Sequence, residues 1–344
     1  MMTRTLQTRK HGPMALTALG FGCAPLGNLY RPVPEEVAQA TLDAAYDAGI
    51  RYVDTAPLYG LGLSEERLGR ALARWPRDEW QLSTKIGRIL IDCPPEEVPE
   101  TIFHDIPSRR FDYDYGYDGV LRSYEDSLKR MGSDRIDILF VHDIDIWTHG
   151  NREASDAKIR ELMEGGYKAL EELRAAGDVK AIGVGINEWD ICERLARSAD
   201  FDCFLLAGRY TLLEQEAQES FLPLCVARGI GIILGGPYNS GILATGPVEG
   251  AKYNYHPAPP EILARAGRLQ AVCEAHGVRL VEAALHFLLN HPAIVSVIPG
   301  AAAPEEVARN LEVLDAKVPA ALWRDLKAEG LVRADSPLPE SDPA

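Results

Sequence analysis

The sequence predicts an α/β protein folded as a closed (β/α)8 TIM barrel, with an extra N-terminal hairpin and long loops on the C-terminal face. Three observations carry that reading. Apolar, β-rich runs recur eight times, and each is followed by a segment of helical periodicity. Runs such as "DILFVH" and "GIILGG" are apolar on both faces, as suits parallel strands covered by helices. The three connections longer than a short turn, 87–119, 145–156 and 238–260, all follow strands. In a barrel they gather on the C-terminal face, where active sites are built.

In chain order, 5–19, with Gly12-Pro13 at its turn, reads as a hairpin able to plug the barrel floor. A first strand over 19–25 precedes a helix over 35–48, and a second over 52–57 precedes a helix over 65–74. The third, 81–86, is followed after a long insertion by a helix over 120–131. The fourth, 137–144, leads to a helix over 158–176, whose leucines at 162, 170 and 173 repeat at helical spacing. Strands at 181–186, 201–207, 230–234 and 294–299 lead to helices at 190–198, at 218–228, at 261–275 with 280–289, and at 305–314. One domain spans 1–344, with its barrel core over about 16–315 and a polar tail from about 334.

Of the 344 residues, 46% are hydrophobic and 25% charged, the mix of a folded globular chain. Acids outnumber bases 51 to 36, a formal net charge of -15 that argues against nucleic acid or an anionic membrane as partner. A small-molecule substrate is the partner to expect. The six cysteines include no Cys-x-x-Cys pair and several lie in apolar runs, as small buried side chains in a reducing compartment do. With a polar N-terminus and no bilayer-length apolar run, the chain reads as a cytoplasmic, soluble protein.

Four titratable residues fall at or just past the ends of three successive strands. Asp54 and Tyr59 follow the second in "VDTAPLYG", Lys85 closes the third in "QLSTKI", and His142 closes the fourth in "DILFVHD". Each has a bland alternative by itself: a turn acid, a loop aromatic, a surface lysine, a core histidine. Together, on neighbouring strand ends, they converge on one mouth. A buried lysine there needs an anion, which Asp54 supplies. The Lys85 charge is expected to lower the Tyr59 phenol from its usual pKa of about 10, making it a general acid or base for a carbonyl/alcohol pair. His142 then orients the substrate oxygen. The hydride of such a reaction has to come from a cofactor, because no side chain donates one. That cofactor has no Rossmann site here, since "GFGCAPLG" lacks both the G-x-G-x-x-G spacing and a following helix.

The stretches "GIRYVDTAPLYGLGLSEERLGRAL", "STK" and "DILFVHDID" resemble the aldo-keto reductases, NAD(P)-dependent barrel oxidoreductases, and the resemblance runs from about 16 to 314. It implies that Asp54, Tyr59, Lys85 and His142 form the catalytic tetrad, and that a cofactor lies across the barrel mouth. "GVGIN" resembles the motif whose last residue, here Asn187, binds the nicotinamide carboxamide. "GGPYNSGIL" resembles the pyrophosphate loop, which implicates Gly236, Pro237, Tyr238, Asn239, Ser240 and Gly241. "VIPGAAAPEEVARN" resembles the adenosine-binding segment and implicates Gly300, Ala301, Glu306 and Asn310. Gly22 and Cys23 complete the expected cofactor contacts. Tyr59, His142 and Trp147 are the expected substrate contacts, and Tyr113, Tyr115, Tyr117 and Trp189 are further loop aromatics for lining a pocket.

Two departures stand out: Gly235 where many relatives carry an aromatic that stacks on the nicotinamide, and Ala207 where many carry glutamine. The stacking contact then comes from elsewhere, and Arg209 or Tyr238 reshapes the site. NADP-preferring members also place an arginine four residues before the final asparagine. Here that position is Glu306, and 300–303 contain no cation. A carboxylate repels a 2′-phosphate and accepts hydrogen bonds from ribose hydroxyls, so the expected cofactor is NAD. The plain alternative is a first-turn acid favoured by the helix dipole.

NAD suggests oxidation, with Tyr59 as base. "GFGCAPLGNLY", "GVGINEW" and "LLAGRYTLLEQ" are similar to the subgroup of that family containing L-fucose and D-threo-aldose 1-dehydrogenases and pyridoxal 4-dehydrogenases. The function expected is therefore NAD-dependent oxidation of a cyclic hemiacetal, an aldose such as L-fucose or D-arabinose, to its lactone. Pyridoxal oxidation to 4-pyridoxolactone is the alternative, followed by a general NAD(P)H carbonyl reductase or a cofactor-binding regulatory module. A metal-dependent hydrolase on His142, Asp143 and Asp145 is disfavoured because His-Asp-Ile-Asp is weak ligand spacing.

Overall fold

The chain opens with the hairpin its Gly12-Pro13 turn implies: β1 (Thr3–Thr8) pairs antiparallel with β2 (Gly12–Thr17). The computed structural model describes residues 1–341, so residues 342–344 of the expected polar tail lie outside it. After the hairpin come β3 (Phe21–Gly22), α1 (Glu35–Asp47), β4 (Tyr52–Asp54), α2 (Leu63–Leu72) and β5 (Gln81–Ile86). The long insertion then folds as a second hairpin, β6 (Arg88–Asp92) with β7 (Arg109–Tyr113), before α3 (Tyr117–Met131) and β8 (Ile138–His142). Next are α4 (Ile146–His149), α5 (Arg152–Glu161), α6 (Tyr167–Ala176), β9 (Ala181–Ile186), α7 (Trp189–Ser198), β10 (Cys203–Ala207), α8 (Phe221–Arg228) and β11 (Gly231–Gly235). The chain ends with α9 (Ile242–Thr245), the small pair β12 (Lys252–Tyr253) and β13 (His256–Pro257), α10 (Pro260–Ala275), α11 (Leu280–Leu289), β14 (Ile294–Ile298), α12 (Pro304–Leu314) and α13 (Ala320–Ala328).

Eight of these strands make one parallel sheet, in the order β3-β4-β5-β8-β9-β10-β11-β14. Bridges from Leu19 to Val297 and from Gly22 to Gly300 join its two edges, so the sheet closes into the predicted (β/α)8 barrel. Every residue of β8, β9, β11 and β14 is buried, because helices cover the outside and side chains fill the inside. The inner core takes Tyr52, Phe140, Leu205 and Ile233 from the strands, together with Leu6, Met14 and Leu16 from the hairpin. The hairpin is the floor. Leu6 packs so closely under β11 that a Cβ on Gly231 would stand 2.4 Å from its Cδ1.

The structure departs from the sequence reading in four places. The first strand is two residues long, because Pro25 lacks an N–H and the chain turns at once into a 3-10 helix, Ala24–Gly27. The helix expected over 158–176 begins at Arg152, where the Asn151 side chain accepts the Ala154 N–H. It passes through a π-turn, Leu162–Gly166, where a Cβ on Gly166 would stand 2.1 Å from the Tyr115 carbonyl oxygen. The hairpin β6–β7 and the helix α13, which buries Leu322, Trp323 and Leu326, were both unexpected. All six cysteines are free, and five are buried. Among the described residues no helix is long and apolar enough to cross a membrane.

Leu6→Ala removes the buried floor of the barrel without touching its mouth. Such a cavity costs about 2–5 kcal/mol, measurable by urea unfolding.

Candidate active site

Parallel strands leave a barrel by one face, so the ends of β4, β5 and β8 meet at one mouth, and the structure brings all four predicted residues together there. Lys85 Nζ donates to Asp54 Oδ2 at 2.6 Å, to the Thr55 carbonyl at 2.8 Å and to Tyr59 Oη at 3.1 Å. Those three bonds use every proton of the ammonium. The ion-paired side chains are 1% and 2% exposed. The second carboxylate oxygen of Asp54 accepts from Ser83 Oγ at 2.7 Å, and Ser83 Oγ bonds Tyr52 Oη at 2.9 Å. Tyr59 sits on a loop that the backbone itself anchors: a Cβ on Gly27 would lie 2.5 Å from the Tyr59 carbonyl carbon, and one on Gly60 would lie 2.4 Å from the Gly27 oxygen. Only glycines allow that approach. The Tyr59 ring stands edge-on to that of His142, with centroids 6.0 Å apart.

One electrostatic expectation is overturned. Burial pushes the Tyr59 phenol well above its usual range, and the negative charges of Asp54 and Asp143 push it further. Lys85 does not reverse this, because its charge is already compensated by Asp54 at 2.6 Å. In the ligand-free protein Tyr59 is therefore a firmly protonated acid. Burial, then the charges of Arg88 and Lys85, hold His142 well below the ordinary imidazole range, so its ring is neutral. Its Nδ1 meets no hydrogen-bond partner among the described residues, whereas Nε2 lies 3.5 Å from Asp143 Oδ2. That carboxylate favours the tautomer with the proton on Nε2.

The residues expected to hold a cofactor divide into two groups. Asn187 stands just past the end of β9, with its N–H on Asp145 Oδ2 at 3.2 Å and its side-chain amide donating to the Ala207 carbonyl at 3.4 Å. After β11, Gly236 (φ +55°) is followed by three consecutive left-handed residues, Asn239 (φ +45°), Ser240 (φ +59°) and Gly241 (φ +103°). The turn is closed by the Asn239 N–H on the Gly236 carbonyl at 3.2 Å and the Gly241 N–H on the Tyr238 carbonyl at 2.9 Å. Tyr238 Oη reaches Asn310 Oδ1 at 3.3 Å, which links this loop to α12. No side chain projects from Gly208, Gly235 or Gly236, so the mouth keeps a cradle between them that a Cβ would narrow. These features fit a dinucleotide. In contrast, Cys23 and Ala301 are 0% and 1% exposed, and Pro237 and Asn239 are also buried. Gly22 is buried within the sheet, paired with Asp54. The buried side chains shape the site from beneath instead of lining it. Gly300 stays exposed at the closure of the barrel.

The cofactor corner also holds cations the sequence reading did not place. Glu306 Oε2 accepts the Ala302 N–H at 2.8 Å, while Oε1 lies 3.7 Å from Arg31 and 4.0 Å from Arg309. Arg31 arrives from the loop after β3, which no local pattern could show. Of the aromatics, Trp147 stands at the rim, 48% exposed, with Arg209 stacked on it at 5.5 Å. Tyr117 turns outward to Glu172, and Tyr115 is buried, donating to the His142 carbonyl at 2.7 Å. Tyr117 lines no pocket. Asp145 caps α4 by accepting the Thr148 N–H, and among the described residues no three of His, Cys, Asp and Glu cluster as metal ligands.

Two residues at the mouth were missed, and Asp143 was weighed only as a metal ligand. Arg88, first residue of β6, pairs with Asp143 at 2.9 Å. Tyr255, between β12 and β13, is tied to the loop after β11 by its N–H on Ser240 Oγ at 3.0 Å. The charges at 88 and 143 lie 55 residues apart and carry no local signature. The mouth thus combines a phenol, an ammonium, a neutral imidazole and a cradle for a dinucleotide, which is the equipment for moving a proton at an oxygen beside a hydride-accepting ring. Lys85→Met leaves Asp54 buried without its partner, and unfolding stability is expected to fall by about 3–5 kcal/mol. The paired change Asp54→Leu with Lys85→Met recovers most of it, as denaturant titration of both variants would read.

Comparison with known proteins agrees with this chemistry. The profile of the Aldo/keto reductase family matches residues 18–329. The chain is 42% identical to a pyridoxal 4-dehydrogenase from Microbacterium luteolum, across 93% of this chain and 95% of that one. It is 41% identical to a D-threo-aldose 1-dehydrogenase from a Pseudomonas species, again across 93% and 95%. Its fold superposes on the holo form of an aldo-keto reductase from Bacillus halodurans with a TM-score of 0.74, at 23% identity and covering 97% of both chains. The family uses nicotinamide cofactors, and its dehydrogenases are oxidoreductases. With the family profile matched across most of its length, the chain belongs to the aldo/keto reductase family of enzymes.

Proposed function

We propose that this enzyme oxidises the cyclic hemiacetal of an aldose, such as L-fucose or D-arabinose, to its lactone, with NAD as oxidant. The observation that carries the reading is Lys85 Nζ, shared between Asp54 and Tyr59 Oη at a mouth whose other side is His142. In the reaction the anomeric hydroxyl lies between Tyr59 Oη and His142 Nε2. Tyr59 would first release its own proton to solvent; the phenolate would then take the hydroxyl proton as the C1–H bond breaks, its electron pair leaving as hydride, and the C1–O bond becomes the lactone carbonyl. When bound, NAD would supply the hydride acceptor. Lys85 stabilises the phenolate that must form to receive the proton. His142, neutral and protonated on Nε2, donates to the same oxygen and does not compete for the proton.

Asn187 would hold the nicotinamide end, the loop 236–241 the phosphates, and Asn310 with Glu306 the adenosine end. NAD is preferred to NADP because Glu306 occupies the start of α12 and already takes the Ala302 N–H, and it also draws Arg31 and Arg309 toward itself. A second reading, oxidation of pyridoxal to 4-pyridoxolactone, is favoured by the relative named for that activity. It uses the same groups, since pyridoxal also closes to a hemiacetal.

The test is NADH formation from NAD, and then NADPH from NADP, against L-fucose, D-arabinose, L-galactose and pyridoxal. Turnover of an aldose with NAD supports the first reading, turnover of pyridoxal alone moves the assignment to the second, and silence on all four sinks both. Tyr59→Phe is expected to keep NAD affinity and lower kcat by about 100- to 10,000-fold. Because burial holds the phenol protonated, wild-type kcat/KM for oxidation should rise with pH between about 7 and 10. A flat profile with an active Tyr59→Phe would remove Tyr59 from the mechanism. Glu306→Arg is expected to raise the NADP-to-NAD ratio of kcat/KM; an unchanged ratio would mean that the carboxylate does not face the ribose.

A further inference from the structure

The mechanism above leaves one buried ion pair at the mouth unused. Gly87, at φ +111°, kinks the chain directly after β5, and a Cβ there would stand 2.2 Å from the Tyr115 ring. The kink sends Arg88 back toward the barrel, where its guanidinium lies 5.0 Å from the Tyr113 ring centre and 5.4 Å from that of Phe111. Arg88 Nη2 meets Asp143 Oδ2 at 2.9 Å, with the arginine side chain 5% exposed and the aspartate 16%. Asp143 itself takes a left-handed φ of +49°, held by its N–H on the Gly185 carbonyl and by Tyr115 Oη on its own carbonyl at 3.2 Å. So arranged, its carboxylate stands beside the catalytic imidazole, 3.5 Å from His142 Nε2.

A buried pair of this kind adds little net stability, and a strained aspartate costs more. Neither is needed to cap a strand. We propose that Asp143, clamped by Arg88, is a specificity-determining residue whose carboxylate accepts a hydrogen bond from the hydroxyl on the carbon next to the one oxidised. This rests on the hemiacetal reading above. If His142 Nε2 holds the oxygen on C1, a neighbouring hydroxyl lies about one hydrogen-bond length from that oxygen, on the side where Asp143 stands. An ionised carboxylate accepts only, so it selects a hydroxyl donor and disfavours a phenolate or carbonyl at the same place. Burial pushes the Asp143 carboxyl above its usual range, and Arg88 at 2.9 Å opposes that shift and points the carboxylate. The substrate class is thus a 2-hydroxy hemiacetal.

D-arabinose and 2-deoxy-D-ribose differ only by the hydroxyl on C2, so kcat/KM for this pair tests the contact in the holoenzyme. Wild type should favour D-arabinose by about 10- to 100-fold, the range of a hydrogen bond to a charged group. In Asp143→Ala that preference should shrink to within about threefold, and the comparison of ratios cancels the sugars' own difference in reactivity. Arg88→Met with Asp143→Ala removes both charges and serves if the single variant, left with an unpaired guanidinium, does not fold. NAD affinity reports folding in each. A preference that persists unchanged in a folded variant overturns the role of Asp143 alone. A wild type that oxidises no aldose overturns the hemiacetal-sugar reading, and this proposal with it.

Discussion

The Lys85–Asp54 ion pair constrains everything above it in the barrel. Two charges that are nearly fully buried carry a desolvation penalty of several kcal/mol each, which only close geometry and complete hydrogen bonding offset. The protein meets both conditions. Asp54 and Lys85 come from paired strands, Asp54 in register with Ser83 and Lys85 two residues further on, so both carboxylate oxygens and all three ammonium protons find partners. Shifting β5 by one residue would turn Lys85 out of the barrel and leave the carboxylate alone. The arrangement at the mouth and the strand register are therefore one constraint.

Polarity in the barrel is distributed along its axis. From the floor upward the interior is apolar, with Leu6, Met14 and Leu16 under Ile138, Phe140 and Leu205. Only at the strand ends do charges enter: Asp54, Lys85, then Asp143 with Arg88. The dry setting shifts proton affinity strongly in two of their neighbours, upward for Tyr59 and downward for His142. The same dryness keeps the Tyr59 phenol protonated. On the opposite side, Ala207, Gly208, Gly235 and Gly236 keep the wall small and leave room for a flat ring.

Much of this was legible in the linear order of residues. Local periodicity located all eight barrel strands, and β5 and β9 match their expected bounds at both ends. It did so because six of the eight strands write their burial in a run of five or six side chains. The D-T-A-x-x-Y-G, S-T-K and V-H segments could be placed together because consecutive parallel strands must open at one mouth. Where the reading failed, the physics was long-range. The hairpin β6–β7 pairs residues 17 to 25 positions apart, through short strands whose exposed faces give no apolar alternation. Arg31 meets Glu306 and Arg88 meets Asp143 only after the barrel closes.

The sequence by itself determined the fold class, the family and the four side chains at the mouth, because strand periodicity and motif spacing are local properties. Only the tertiary structure decided the sign of the Tyr59 shift, the tautomer of His142, the burial of Cys23 and the clamp of Arg88 on Asp143. Those depend on how much water is excluded around each group and which distant charges share the space. Coulomb energy and desolvation act across the folded volume, and no spacing along the chain encodes them.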